Sequence, residues 1–342
     1  MRTFPSSFEV NNKKVGGENP CLIIAEAGVS HFGNVSKGYD LVDLALDANA
    51  DIFKMQHYKT EDLVSDKSSD WFKRLKEKEL TNDEVAKIKE YCDQNNITFL
   101  CTAHDKKSLD FLDKELDVPA FKIGSGEVQN WPFIADIASR GKPVILSTGM
   151  YELDMIKQAI NIIQSSNCPA LAILHCVTAY PAKPSEINLK AMDAIRSFFN
   201  GPVGYSDHTE GSAIPLASVA LGADIVEKHI TIDKNIPNAQ DWKVACDPTN
   251  FNSFVKDVRR IEQSLGKASI IVNKSEKKSI LWARKSIFVR NDIPKGQIIT
   301  KDNLVLKRPG DGIPGSKIDD IIGKRANCQI LEGKKLSTDE FD

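Results

Sequence analysis

Two histidines, His208 in GYSDHT and His229 in EKHITID, each stand at the end of a short β-like run, 202–205 and 223–228. On adjacent strands the two imidazoles would converge on one metal, leaving coordination places for water and a substrate oxygen. A lone histidine in a barrel is more often a hydrogen-bonded core residue. The pair, with Ser206, Asp207 and Lys228 beside it, favours the metal reading. Lys54 and Lys122, with the hydroxyls of Thr102, Ser125, Ser147 and Ser206, are a set suited to hold a phosphate together with a carboxylate, because lysine brings point charge and hydroxyls bring directional donors. The Gly124-Ser125-Gly126 turn would let backbone amides approach the same anion. Glu26 follows the apolar run CLIIA, where a carboxylate can orient water or move a proton, or equally pair with one of those lysines.

These residues need a frame that brings them together. Apolar runs recur at 21–25, 52–55, 98–101, 120–123, 143–146, 171–175, 203–205 and 225–228, and helical patterns lie between them at 38–46, after the Thr81/Glu84 capping box, and at 107–116, 155–163, 189–199 and 251–265. Strand and helix alternating eight times over roughly 250 residues predicts an α/β fold, a closed (β/α)8 TIM barrel. An open doubly wound sheet shares the alternation, but the first strand lacks the usual glycine-rich turn. A hairpin at 8–15 would plug the barrel's lower end. The expected strand ends carry Glu26, Lys54, Gln56, Thr102, Lys122, Ser125, Glu127, Ser147, Thr148, His175, Thr178, Tyr180, Ser206, His208, Glu227 and His229. So much ionisable chemistry at the ends of apolar strands implies a polar, anionic guest.

The division expected is a barrel over 1–268, a linker over 269–283, and a small, mostly β module over 284–342, with β-like pieces SIFV, QIIT and LVLKR between Pro-Gly turns. Across 342 residues, 41% are hydrophobic and 27% charged, with 45 basic and 47 acidic residues interspersed. No basic tract suits nucleic acid, and no run reaches the about 18 apolar residues of a membrane span. The seven cysteines, scattered and odd in number, read as reduced core residues of a cytoplasmic protein.

The ordered segments AEAGVSHFGN, KMQHYK, FKIGSGEVQNWP, LSTGM, LHCVTAYP, GYSDHT and EKHITID resemble the sialic acid synthase family, over nearly the whole chain. SIFV, IPKGQIIT, LVLKRPGDG and IIGKRA resemble the type III antifreeze-like (SAF, β-clip) domain that follows the barrel in that family. The resemblance implies a condensation of phosphoenolpyruvate with an N-acyl hexosamine, typically N-acetylmannosamine, giving a nine-carbon 2-keto acid (N-acetylneuraminate) and phosphate. It implies that His208 and His229 hold Mn²⁺, or Mg²⁺ or Co²⁺, and that Glu26 acts at the reacting centres. Lys54, Thr102, Lys122, Ser125, Ser147 and Ser206 match phosphoenolpyruvate-contacting positions; Gln56, Tyr180 and Asp241 match positions near the sugar or metal. Glu127 and Thr178 join the substrate-binding set. Arg308 matches an arginine that reaches the acyl-sugar of the other subunit, implying a domain-swapped homodimer.

Thr178 stands where some relatives have asparagine, and the stretch 239–248 departs from the family's P-D-H-x-x-S-x-[DE]-P form. Both lie in substrate-facing loops, which leaves legionaminic and pseudaminic acid synthases, with a diacetamido-trideoxyhexose acceptor, as alternatives. An aldolase or isomerase barrel, or a non-catalytic carbohydrate- or ice-binding protein, are the competing classes.

Overall fold

The computed structural model describes residues 4–235 and 241–342. It opens on an antiparallel hairpin, β1 (Ser7–Val10) and β2 (Lys13–Gly16), turned by Asn11 and Asn12, both at positive φ. Asparagine tolerates that conformation better than most residues, and paired positive φ matches the twist of the flanking strands. Eight parallel strands follow: β3 (Leu22–Gly28), β4 (Ile52–His57), β5 (Thr98–Ala103), β6 (Phe121–Ile123), β7 (Val144–Ser147), β8 (Leu171–Cys176), β9 (Val203–Asp207) and β10 (Ile225–His229). They close in sequence order, with β10 against β3.

The strands alternate between two environments. Ile23, Phe53, Phe99, Phe121, Val144, Leu171, Val203 and Val226 pack outward with the helices, while Leu22, Ile24, Ile52, Leu100, Ala120, Ile145, Ala172, Leu174 and Ile225 fill the barrel interior. Val10 and Val15 of the hairpin join that interior cluster, so the hairpin does close the bottom. Above this apolar plug, the same inward register is polar: Glu26, Lys54, Thr102, Lys122, Ser147, Ser206 and Glu227. Most strands run past their expected ends because the ladder continues, so Glu26, Gln56, Thr102, Ser147, Ser206 and His229 sit on paired backbone.

The Thr81 capping box and the helix Phe251–Leu265 form where expected. The helical run at 189–199 is shorter, Ala191–Arg196, since Asn188 at φ 51° breaks the chain direction before it. Trp131–Ala138 and Ala213–Ala220 are helices that the apolar pattern does not announce; both are apolar nearly all round. Between β4 and the helix Asn82–Gln94, two short helices, Thr60–Leu63 and Asp70–Lys76, form an added wall.

By backbone contacts the chain divides into Met1–Gly266 and Lys267–Asp342. The second unit has β11 (Ser286–Val289) paired antiparallel with β12 (Leu304–Lys307) over a small core of Ile287, Val289, Ile293, Ile299, Leu304 and Ile330. The QIIT segment is not a strand; only an isolated bridge, Ile298 to Arg325, forms there. Within 269–283 the chain forms the helix Glu276–Ala283, none of whose residues is buried. All seven cysteines are free; six are buried as expected, and Cys328 is exposed. Among the described residues, no helix is long and apolar enough to cross a membrane.

Candidate active site

Above the apolar plug lies a cavity of about 670 Å³, lined by every site residue expected from the barrel sequence: Glu26, Lys54, Gln56, Thr102, Lys122, Ser125, Glu127, Ser147, Thr178, Tyr180, Ser206, His208, His229 and Asp241. Its floor is a cluster of two lysines and two glutamates. Lys54 Nζ lies 2.6 Å from Glu26 Oε2 and 3.5 Å from Glu227 Oε2; Lys122 Nζ lies 3.4 Å from Glu227 Oε1. Lys54 also donates to Thr102 Oγ1 (3.3 Å), Lys122 to Ser147 Oγ (2.7 Å), and Ser206 Oγ to Glu227 Oε1 (2.8 Å). Gln56 Nε2 donates to Glu26 Oε1 at 3.1 Å. Glu26 Oε2 is thus held by Lys54, whereas Glu227 Oε2 is buried and receives no hydrogen bond, its nearest cation being Lys54 at 3.5 Å. Glu227 was absent from the expected binding set, although its spacing two residues before His229 on one strand puts both on the same face.

Burial and charge tune these groups differently. Burial raises the Glu26 carboxyl, and Glu227 adds to that while Lys54 opposes it; the net shift is upward. For Glu227 burial also pushes up, but Lys122, Lys54 and the Ser206 hydroxyl outweigh it and hold the carboxylate below its ordinary range. Burial lowers Lys122, and its partners do not fully offset this; Lys54 is pulled down by burial but raised above its usual value by Glu227 and Glu26. Neighbouring carboxylates thus differ in their readiness to hold a proton, the condition under which one works as acid or base.

Beside the cluster, the rings of His208 and His229 have centroids 5.3 Å apart, with Tyr180 4.0 Å from His208. Burial is the main cause holding both imidazoles below their usual pKa and therefore neutral, the ligating form. His208 Nδ1 donates to the Val177 carbonyl (2.8 Å), which leaves Nε2 with a free lone pair. The Asp241 carboxylate lies 3.8 Å from His229 Nδ1; burial raises its pKa to about 7, with Glu26 contributing and Lys78 opposing. Two imidazoles with a carboxylate at the edge fit a divalent cation by donor chemistry, although among the described residues no three such side chains form a complete cage.

A bulge in β3 between Glu26 and Gly28 aims Glu26 at Lys54. Gly28 has φ 54°, and a Cβ there would lie under 4 Å from Glu26, Gln56 and His229. Ser125 Oγ accepts from Gly149 N (2.9 Å), tying two loops. Glu127 faces His104 at 3.8 Å. His175 is not in the cavity: it points outward, its Nε2 donating to the Ile187 carbonyl, because odd and even positions of β8 face opposite ways and Cys176 takes the inward place. Thr148 is likewise structural, its hydroxyl donating to the Leu174 carbonyl. Ala239 and Gln240 lie outside the described residues. Arg308 belongs to the second unit, where its Nε donates to Ala283 O and its guanidinium lies 5.5 Å from the Trp282 ring centroid.

A (β/α)8 barrel that gathers cations, carboxylates, hydroxyls and two neutral imidazoles at its C-terminal strand ends has the form of a catalytic barrel. The chain belongs to the NeuB family, which it matches over residues 41–269, and it carries a SAF domain over 284–342. It is 39% identical to the N,N'-diacetyllegionaminic acid synthase of Campylobacter jejuni, covering 92% of this chain and 98% of that one. It is 32% identical to the N-acetylneuraminate-9-phosphate synthase of Homo sapiens, covering 96% and 94%. The crystal structure of the N-acetylneuraminic acid synthetase from Leptospira borgpetersenii, in complex with citrate, aligns with a TM-score of 0.75 at 34% identity, over 82% of this chain and 97% of that one.

Proposed function

We propose that the chain condenses phosphoenolpyruvate with N-acetylmannosamine or a related acylamino hexose and water, giving a nonulosonic acid and inorganic phosphate. The observation that carries this reading is the buried floor, where Lys54 and Lys122 stand among hydroxyls beside a carboxyl of raised pKa and two facing imidazoles. The lysines, with Thr102, Ser125, Ser147 and Ser206, hold the phosphate and carboxylate of phosphoenolpyruvate. Its methylene carbon attacks the sugar aldehyde and forms the new C–C bond. Water adds at the enolpyruvyl carbon, and the C–O bond to phosphate breaks to leave the ketone. Glu26, whose pKa is raised, takes the water's proton; Gln56 fixes its orientation.

A divalent cation held by His208 and His229, most simply Mn²⁺, would supply Lewis-acid polarisation of the aldehyde. Tyr180, Asp241, Thr178 and Glu127 border the acceptor's side of the cavity. Arg308 serves the acyl-sugar in a domain-swapped homodimer, a role supported by its motif. The enzyme works in the cytoplasm, where phosphoenolpyruvate is at hand.

The test is phosphate release from phosphoenolpyruvate across a panel of acylated hexoses, with and without chelator, for the intact chain and for Arg308→Ala. Release that depends on the acceptor and on a divalent ion, with Arg308→Ala raising the acceptor's KM, is expected. An aldolase or isomerase would release none.

A further inference from the structure

Of the basic side chains lining the cavity, Arg74, Lys243 and His104 have no part in the condensation as proposed. Arg74 belongs to the added wall and Lys243 to the loop after β10, whereas His104 stands at a strand end, one residue past β5. Of the six histidines, four spend a ring nitrogen within the protein: His31 accepts from Gly33 N, His57 meets Asn82 Oδ1, and His175 and His208 donate to carbonyls. His229 faces His208 across the proposed metal position. His104 is left, and among the described residues no group hydrogen-bonds to either of its ring nitrogens.

The chain holds this ring firmly. His104 N donates to His57 O at 3.2 Å, which extends the β4–β5 ladder past Ala103 and puts His104 on the same inward face as Thr102. Asp105 accepts from Lys59 N and from Ser108 N, fixing the next residue. The ring packs edge-on against Tyr58 at 6.4 Å, and a Cβ at Gly124 would stand 3.8 Å from its Cε1 and 3.9 Å from Thr102 Cγ2. His104 therefore borders the anion cradle of Thr102 and Gly124-Ser125-Gly126. Behind it, Glu127 Oε1 lies 3.8 Å from Nδ1, while Oε2 accepts from Asn130 Nδ2 at 2.7 Å. A carboxylate so placed orients an imidazole and offsets the charge that a proton brings.

Two protons need a destination. Water adding at the enolpyruvyl carbon releases both of its protons by the time the ketone forms, and Glu26 takes the first. An equal number must be delivered, one to the oxygen that was the acceptor's aldehyde and one to the phosphate, which otherwise departs as a trianion. The aldehyde lies at the His208 and His229 end, on β9 and β10. In the ring of strands β5 is four places from β9, on the opposite side of the barrel. His104 is thus remote from the aldehyde oxygen and next to the phosphate.

We propose that His104, backed by Glu127, is the general acid for phosphate departure. As the C–O bond breaks and its electron pair passes to the bridging oxygen, that oxygen takes the ring's proton and hydrogen phosphate leaves. The ring regains a proton from solvent, to which the intermediate's hydroxyl gives up its own as the ketone forms. The assignment rests on the proposed condensation and supplies its last step.

The test uses the full chain with phosphoenolpyruvate, a divalent ion and the best acceptor of the panel above. His104→Ala is expected to lower kcat roughly 100-fold, with the KM for phosphoenolpyruvate within about threefold of wild type, and added imidazole restores turnover saturably. His104→Phe, which fills the space, falls as far and is not restored. In single turnover quenched in base, phosphoenolpyruvate disappears from His104→Ala ahead of the appearance of phosphate, because addition proceeds while departure waits. Should His104→Ala not fold, His104→Asn and His104→Phe carry the turnover and single-turnover readings. Near wild-type turnover, a loss in His104→Ala that imidazole does not restore, or phosphoenolpyruvate and phosphate changing together would overturn the assignment and leave the condensation standing. Absence of phosphate release by the wild type with every acceptor would overturn both.

Discussion

Strands β9 and β10 carry two sets of buried charges on opposite faces, and the two are built differently. On the outward face, Asp207 and Lys228 are both 0% exposed and form an ion pair of 2.5 Å. Lys228 also donates to the Thr209 carbonyl, while Asp207 accepts from the Tyr205 hydroxyl and from the N–H and hydroxyl of Thr209. That pair is closed. One residue away, Ser206, Glu227 and their partners face the cavity, with Glu227 Oε2 lacking a hydrogen bond and two lysines shared among carboxylates and hydroxyls. A saturated buried pair fixes backbone; an unsaturated one next to a cavity awaits a ligand. Here the closed pair locks the strand ends that hold His208 and His229, and the open cluster supplies the chemistry.

The comparison breaks first at Lys228. Lys228→Met strands a fully buried carboxylate and is expected to cost about 3–5 kcal/mol of stability in chemical denaturation, with much of it restored by adding Asp207→Asn. Wild-type stability in the single variant would mean that the outward pair is not structural. Across the sheet, Glu26→Gln should do the opposite: turnover falls about 100-fold or more, while the folded state holds, because Lys54 keeps Glu227 as a partner. A stability loss matching that of Lys228→Met, with turnover intact, would erase the distinction.

Lys122→Met sharpens it further, with phosphoenolpyruvate KM rising roughly tenfold and the melting temperature little changed, since Glu227 retains Lys54 and Ser206. Because burial lowers Lys122, the alkaline loss of phosphoenolpyruvate affinity in the wild type should begin below the ordinary lysine pKa. Titration of affinity against pH checks it.

The smallest effect belongs to Glu79, outside both clusters. Burial raises its pKa, but the N–H and hydroxyl of Thr60 and the Lys76 ammonium outweigh this and bring it to about 2. A depressed carboxyl stabilises the fold above its unfolded pKa and loses that contribution as pH falls towards the folded one. Glu79→Gln should therefore flatten the acid loss of stability between about pH 5 and pH 2, by ~1 kcal/mol or less after solvent screening.

Much of the centre was legible before any coordinates. Apolar runs mark where strands lie, and polar residues just past them mark the end of the barrel that binds, since a strand interior rejects charge that lacks a partner. His208, His229, Glu26, Lys54 and Lys122 follow from that reasoning. The face each residue takes was left to the ladder. His175 and Cys176, or Glu227 and Lys228, are neighbours in sequence that pair with opposite environments because side chains alternate across a closed sheet, and strand ends had to be known to the residue for that alternation to be used. Arg74 had no sequence signal at all. It lies in a long connection, 58–81, whose short helices carry no strong period, and only their packing on Tyr58 and Glu79 turns an ordinary surface arginine toward the cavity. Sequence thus determined which chemistry the strand ends offer, through local hydrophobicity and charge. Barrel closure and loop packing decided which of those groups meet, because both depend on contacts between residues far apart in the chain.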